Sequence, residues 1–134
     1  MKIKQTVILL GLLILTTISA SAASKKQKTI RVACIGNSIT YGTGIADRTN
    51  DSYPSQLQRL LGSNYQVGNF GKPGAKLLYH GHRPYVKQEE FKEAIAFKGD
   101  IAVMHLGIND TDPRNWPNYR DEFVKDYLSI MDSL

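Results

Sequence analysis

The sequence predicts an α/β fold built on a doubly wound parallel sheet. Three observations carry that expectation. Three apolar, partly β-branched runs each stop at a glycine, helix-period segments separate them, and Gly, Asn, Ser and Asp gather just past each run. The order strand, helix, strand, helix, strand, helix is that of right-handed crossover units. Such sheets bind ligands beyond the carboxyl ends of their strands.

Residues 1–22 read as a secretory signal: Lys2 and Lys4 precede an apolar stretch over residues 7–18, and Ala20-Ser21-Ala22 gives a cleavage pattern after Ala22. The apolar stretch is short of the roughly 20 residues that span a bilayer. The mature chain is therefore expected to be soluble, free of the membrane, and secreted or periplasmic. Cleavage removes two lysines and no acid, so a formal charge of +5 on 134 residues falls to +3 on 112. That length suits one domain with a modest core and excludes two. Residues 23–29 read as a solvated tail. The mild charge, with no basic run beyond Lys25, Lys26 and Lys28, argues against nucleic acid as a partner. The lone Cys34 excludes an intramolecular disulfide framework, and no C-x-x-C pair is present to hold zinc.

Residues 29–35 read as a strand buried on both faces, ending at Gly36. Residues 36–51 read as a long polar loop. Asp51 or Ser52 then caps a helix with Pro54 in its first turn; Tyr53, Leu57, Leu60 and Leu61 form one apolar stripe, and Gly62 stops it. Residues 65–70 form a second strand, followed by Gly71-Lys72-Pro73-Gly74. No element is assigned over residues 76–87. Residues 89–97 are helical, with Phe91, Ala94 and Ile95 facing inward and Gly99 ending the helix. Residues 100–106 form a third strand, broken at Gly107. After a polar loop containing proline, Tyr119, Phe123, Val124, Tyr127, Leu128, Met131 and Leu134 mark an amphipathic helix.

The loops opening at Gly36, Gly71 and Gly107 are expected to converge on one crevice. The first offers Ser38, two residues past a buried strand, with a hydroxyl for nucleophilic attack and an N–H for an oxyanion. As a turn or cap residue the same serine does no chemistry. The G-x-S-x-G elbow is not present, because Thr40 stands where its second glycine belongs. The second loop offers the Gly71 N–H as a donor, or simply a Pro-Gly turn. The third offers the Asn109 amide, while Asp110 caps or ties its loop. A dinucleotide site at Gly42-x-Gly44 fails, because the third glycine is missing and no acidic residue ends the second strand.

Together, Ser38, Gly71 and Asn109, each at the carboxyl end of a successive strand, resemble the SGNH (GDSL-type) hydrolase family from residue 30 onward. Gly36-Asn37-Ser38 stands where that family has Gly-Asp-Ser, and Gly107-Ile108-Asn109-Asp110 matches its Gly-x-Asn-Asp block. The resemblance implies a flavodoxin-like, three-layer fold with no cofactor or metal. It implies Ser38 as nucleophile and an oxyanion hole made by the Ser38 N–H, the Gly71 N–H and the Asn109 side chain. The fuller run of motifs resembles exported carbohydrate esterases of the sialate O-acetylesterase type. That narrower likeness implies a small-molecule or glycan O-acyl ester as substrate, such as an acetylated sialic acid or polysaccharide.

The family's Asp-x-x-His block has no match. His80, His82 and His105 are preceded three residues earlier by Leu77, Tyr79 and Ala102. His105 reads as a strand residue, and His80 and His82 as rim residues, since two ligands do not make a zinc site. With three strands, a sheet edge lies open beside the third, and the last apolar stripe runs on to Leu134. The expectation is the amino-terminal portion of a longer hydrolase domain, residues 30–134, truncated after the third strand and its helix. The alternative expectation is a carbohydrate-binding remnant that does not turn its ligand over, or an inactive fragment lacking the His/Asp base.

Overall fold

A computed structural model describes residues 28–134, so the expected signal segment lies outside the described residues. Three strands, β1 (Ile30–Gly36), β2 (Tyr65–Gly71) and β3 (Ile101–His105), form one parallel sheet in the order β2-β1-β3. The register sets Gly36 against Gly71 on one side and His105 on the other. The two loops that leave β1 and β2 therefore start level with each other.

Among the described residues six α-helices accompany the strands, besides short 3-10 turns: α1 (Ser38–Tyr41), α2 (Arg48–Asp51), α3 (Tyr53–Leu61), α4 (Glu89–Phe97), α5 (Trp116–Tyr119) and α6 (Phe123–Asp132). Successive strand side chains point to opposite faces. Ala33 and Ile35 of β1 join Phe70, Tyr85 and Ala94 in the main core cluster, against which Phe91 of α4 and Leu134 also pack. On the other face Cys34 meets Tyr53 of α3. The result is the expected three layers, with α3 on one side of the sheet and α4 on the other.

The central strand is buried on both faces, as its sequence predicts, with Val32, Ala33, Cys34 and Ile35 almost wholly enclosed. The third strand is not. It sits at the edge, and Ile101 is 47% and Val103 38% exposed. Residues 36–51 are more ordered than a plain loop. The Asn37 side chain accepts the Ile39 N–H at 3.0 Å to start α1, and Asp47 accepts the Asn50 N–H at 3.2 Å to start α2.

Three helices depart from their expected faces or ends. In α3, Leu60 points to solvent at 85% exposure. α4 stops at Lys98, which takes the left-handed conformation (φ 50°) expected of Gly99, and Ile95 is exposed. Gly99 is instead a packing residue, because a Cβ there would lie 3.1 Å from the Ala33 Cβ. The last helix begins only at Phe123, and it leaves Val124, Leu128 and Met131 exposed while burying Asp126 and Ile130. The cause is polar: the Asp126 carboxylate accepts the Tyr79 N–H at 2.8 Å. Ile130, four residues on, lies on the same helix face and is buried with it.

Residues 76–87, left unassigned by the sequence, form a folded loop. Leu77, Leu78 and Tyr85 are fully buried. The loop closes on itself through Lys76 N–H to Arg83 O (3.1 Å) and Tyr85 N–H to Lys76 O (2.8 Å), and the Tyr85 hydroxyl donates to Phe70 O.

The free side of β2 is covered by local groups. Gln58 of α3 accepts the Val67 N–H at 2.7 Å and donates to Tyr65 O at 3.0 Å, as a neighbouring strand would. The Tyr65 N–H goes to Gly62 O and the Gly71 N–H to the Asn69 side chain.

Candidate active site

The three loops at the carboxyl ends of the strands converge, and hydrogen bonds show how. Lys72 N–H donates to Gly36 O at 2.8 Å, joining the second loop to the first, and Asn37 N–H donates to His105 O at 3.3 Å, joining the first to the end of β3. The Asn109 amide donates to Ala75 O at 2.9 Å and closes the ring between the third loop and the second.

Ser38 is the first residue of α1 and is half-buried. Among the described residues neither its hydroxyl nor its N–H makes a hydrogen bond, so both are available to a ligand. Gly71 lies against the same short helix. A Cβ on it would come within 2.1 Å of Tyr41 N and 2.7 Å of the Thr40 carbonyl carbon. Only glycine permits this contact between β2 and the backbone that carries Ser38.

The Gly71 N–H, expected as an oxyanion donor, is accepted by Asn69 Oδ1 at 3.0 Å. An asparagine two residues before the bonded N–H is the pattern of an Asx turn, a signal already present in Asn69-Phe70-Gly71. The next turn is the Pro-Gly turn anticipated from sequence. Ala75 N–H donates to Lys72 O at 3.1 Å, and Gly74 has φ +76°, as a type II turn requires at that position. Among the described residues the Gly74 N–H makes no hydrogen bond, and it precedes the residue whose carbonyl anchors Asn109. An asparagine amide carries two hydrogens. Ala75 O takes one and fixes the group, leaving the other free.

Asp110 ties the third loop to the folded loop after β2, as its sequence position suggested. Its carboxylate accepts the N–H groups of Leu77 (2.9 Å) and Leu78 (2.8 Å), and the side chain is fully buried. Burial pushes its pKa up from the ordinary carboxylate value, while the two N–H donors and nearby Lys76 pull it part of the way back. Its partners are peptide groups of two leucines, which no side-chain motif reveals. Replacing Asp110 with Asn leaves one of two buried N–H groups facing an amide donor. The expected loss is about 1–3 kcal/mol, read as a lower thermal unfolding temperature; an unchanged temperature would show that the carboxylate is not the tie.

Charged groups around the second loop are mostly paired. Lys72 donates to Glu90 at 2.8 Å. Burial, the largest single influence, pushes the Glu90 pKa up, but the Lys72 hydrogen bond, the Glu90 N–H and the charges of Lys72 and Arg83 together outweigh it and hold the carboxyl below its usual value. Lys76, nearly buried, lies 3.7 Å from Asp112, and Asp112 also binds Arg114 at 2.6 Å. The Arg114 hydrogen bonds hold Asp112 far below the ordinary carboxylate range.

None of the three histidines hydrogen-bonds Ser38. His80 is an exposed residue bonded to Glu122 at 2.7 Å, His82 is exposed, and His105 is an exposed residue of β3. Among the described residues no group of three His, Cys, Asp or Glu side chains is placed to hold a metal ion.

A family model described as the GDSL-like lipase/acylhydrolase family matches residues 34–134. An acetylxylan esterase of Xylanibacter ruminicola is 46% identical over 114 residues, which cover 85% of this chain and 24% of that protein. The chain thus spans about a quarter of the length of that curated relative. Among solved structures, the SGNH-hydrolase family esterase AlinE4 matches with a TM-score of 0.58 and 22% identity, over 80% of this chain and 53% of that one. A point mutant of the same esterase gives the same TM-score at 21% identity.

Proposed function

Because the chain belongs to the GDSL-like lipase/acylhydrolase family, we propose that it supplies the nucleophile and oxyanion site of a serine esterase that removes O-acetyl groups from carbohydrates. The observation that supports this most is the ring of three loops, in which Ser38 is unengaged and the Asn109 amide is fixed by Ala75 O. In this reading Ser38 Oγ attacks the acyl carbonyl, and the negative charge that develops on oxygen is held by the Ser38 N–H and the free hydrogen of the Asn109 amide. The third donor comes from the turn after β2. Gly71 is the residue named by the family resemblance, and its N–H becomes available when Asn69 turns away; the Gly74 N–H in the same turn is already free. No proton acceptor is assigned among the described residues, where none of His80, His82 and His105 hydrogen-bonds Ser38.

The substrate class rests on the curated relative's name, an acetylxylan esterase, and on the motif resemblance to sialate O-acetylesterases. Both point to acetyl groups on sugars. The signal-like pattern of residues 1–22 supports a reading in which the protein is exported and acts outside the cytoplasm. The test is to treat the full-length protein with a fluorophosphonate, which labels only an activated serine, and to follow acetate release from acetylated xylan and from an O-acetylated sialoside. Phosphonylation at Ser38 with loss of acetate release is expected. Acetate release that survives complete labelling, or a label on another serine, would refute the assignment, and the two substrates decide which sugar is used.

A further inference from the structure

Arg83 is one of two non-glycine residues among those described with a positive φ, at 62°. That conformation costs an L-residue roughly 1–2 kcal/mol and persists only where the surroundings impose it. Here they do, because Arg83 O accepts the Lys76 N–H and the adjacent Pro84 bridges to Lys76. The side chain is thereby laid over the turn beyond β2. From the point where a Gly74 Cβ would sit, Arg83 Nη1 is 3.3 Å away and Cδ 3.7 Å. The guanidinium therefore covers the residue just before the carbonyl that fixes Asn109.

Its charge helps to hold the Glu90 carboxyl low from a distance, but no partner within the described residues binds it directly. Lys72 is bound to Glu90, Lys76 lies beside Asp112, Arg114 is bound to Asp112, and Asp110 is occupied by two N–H groups. Arg83 makes no ion pair or hydrogen bond there, and it is exposed. An unpaired planar fork of N–H donors lying over the turn that joins the three-loop ring suits a carboxylate, which it can bind through two parallel hydrogen bonds.

We propose that Arg83 is a specificity-determining residue that receives a carboxylate carried by the sugar whose ester is cleaved. The proposal rests on the esterase reading above and adds to it a preference for acidic over neutral acetylated glycans. The small deacetylation chemistry itself does not need Arg83.

The test uses the full-length protein and two probes: acetylated xylo-oligosaccharides with and without a glucuronic acid branch. Binding is measured calorimetrically in the Ser38→Ala background, and acetate release in the parent. The acidic probe is expected to bind about tenfold more tightly than the neutral one, with the margin shrinking as salt is raised. Arg83→Gln is expected to reduce that margin to within twofold by weakening the acidic probe alone, Arg83→Lys to retain part of it, and kcat on the neutral probe to stay unchanged. Equal binding of both probes by the parent, a margin that survives Arg83→Gln, or an equal loss on both probes would each overturn the proposal. Selective binding with no acetate release would remove the esterase reading and leave Arg83 as a carboxylate receptor. Release without selectivity would do the reverse.

Discussion

Replacing Ser38 with alanine in the full-length protein is expected to lower acetate release about a thousandfold or more, while substrate affinity changes by less than about threefold. The asymmetry follows from what the substitution removes. In the proposed reaction the hydroxyl is the atom that forms the acyl-enzyme bond, so no other group takes over its step. The proposed oxyanion donors are a backbone N–H, a fixed asparagine amide and a turn N–H, none of which alanine alters. Stability is expected to stay within about 0.5 kcal/mol, because the half-buried hydroxyl makes no hydrogen bond among the described residues. Kinetics on acetylated xylan with a thermal melt on the same sample checks both halves. A protein that binds the glycan and never releases acetate, with or without Ser38, would instead support the binding-module reading.

The second large effect is structural. Gly71→Ala is expected to destabilise the fold by roughly 3 kcal/mol or more. The added methyl would overlap Tyr41 N at 2.1 Å and Tyr41 Cα at 2.6 Å, and both are backbone atoms with no rotamer to yield. Either α1 lifts away from β2 or the end of the ladder opens at the Gly36–Gly71 pair. Gly44→Ala is the control. Gly44, unlike Gly71, has a positive φ, at +86°, and nothing lies within 4 Å of its missing Cβ. Only the conformational penalty of about 1 kcal/mol applies there. Comparable losses in the two variants, measured by denaturant unfolding, would show that the contact with α1 is not what requires glycine at position 71.

The strands and their succession along the chain were legible because each is an apolar run ended by glycine, although only the central one is buried on both faces. The helix faces were less so. Leu60 completes a good periodic stripe and still points to solvent, whereas Asp126 turns α6 through a single hydrogen bond to a backbone N–H 47 residues away. Periodicity does not register such a bond. The same holds at the site. Ser38 and Asn109 are visible as residue types in the right loops, but their supports, Ala75 O beneath Asn109 and the Leu77 and Leu78 N–H groups on Asp110, are peptide groups and carry no residue signature. Arg83 was hidden for another reason, since its left-handed backbone is imposed by the closure of a loop whose sequence has no periodicity.

The side chain of Gln58, lying along β2 like a fragment of a missing strand, gives the sheet a direction of growth. On that flank the N–H groups of Tyr65, Val67 and Gly71 already have acceptors, so an incoming backbone would have to displace three bonds to begin a ladder. On the opposite flank Ile101–His105 meets only β1 among the described strands. Any polypeptide that templates on this sheet, whichever molecule provides it, will therefore accrete beside β3, on the flank where Ile101 and Val103 still face water.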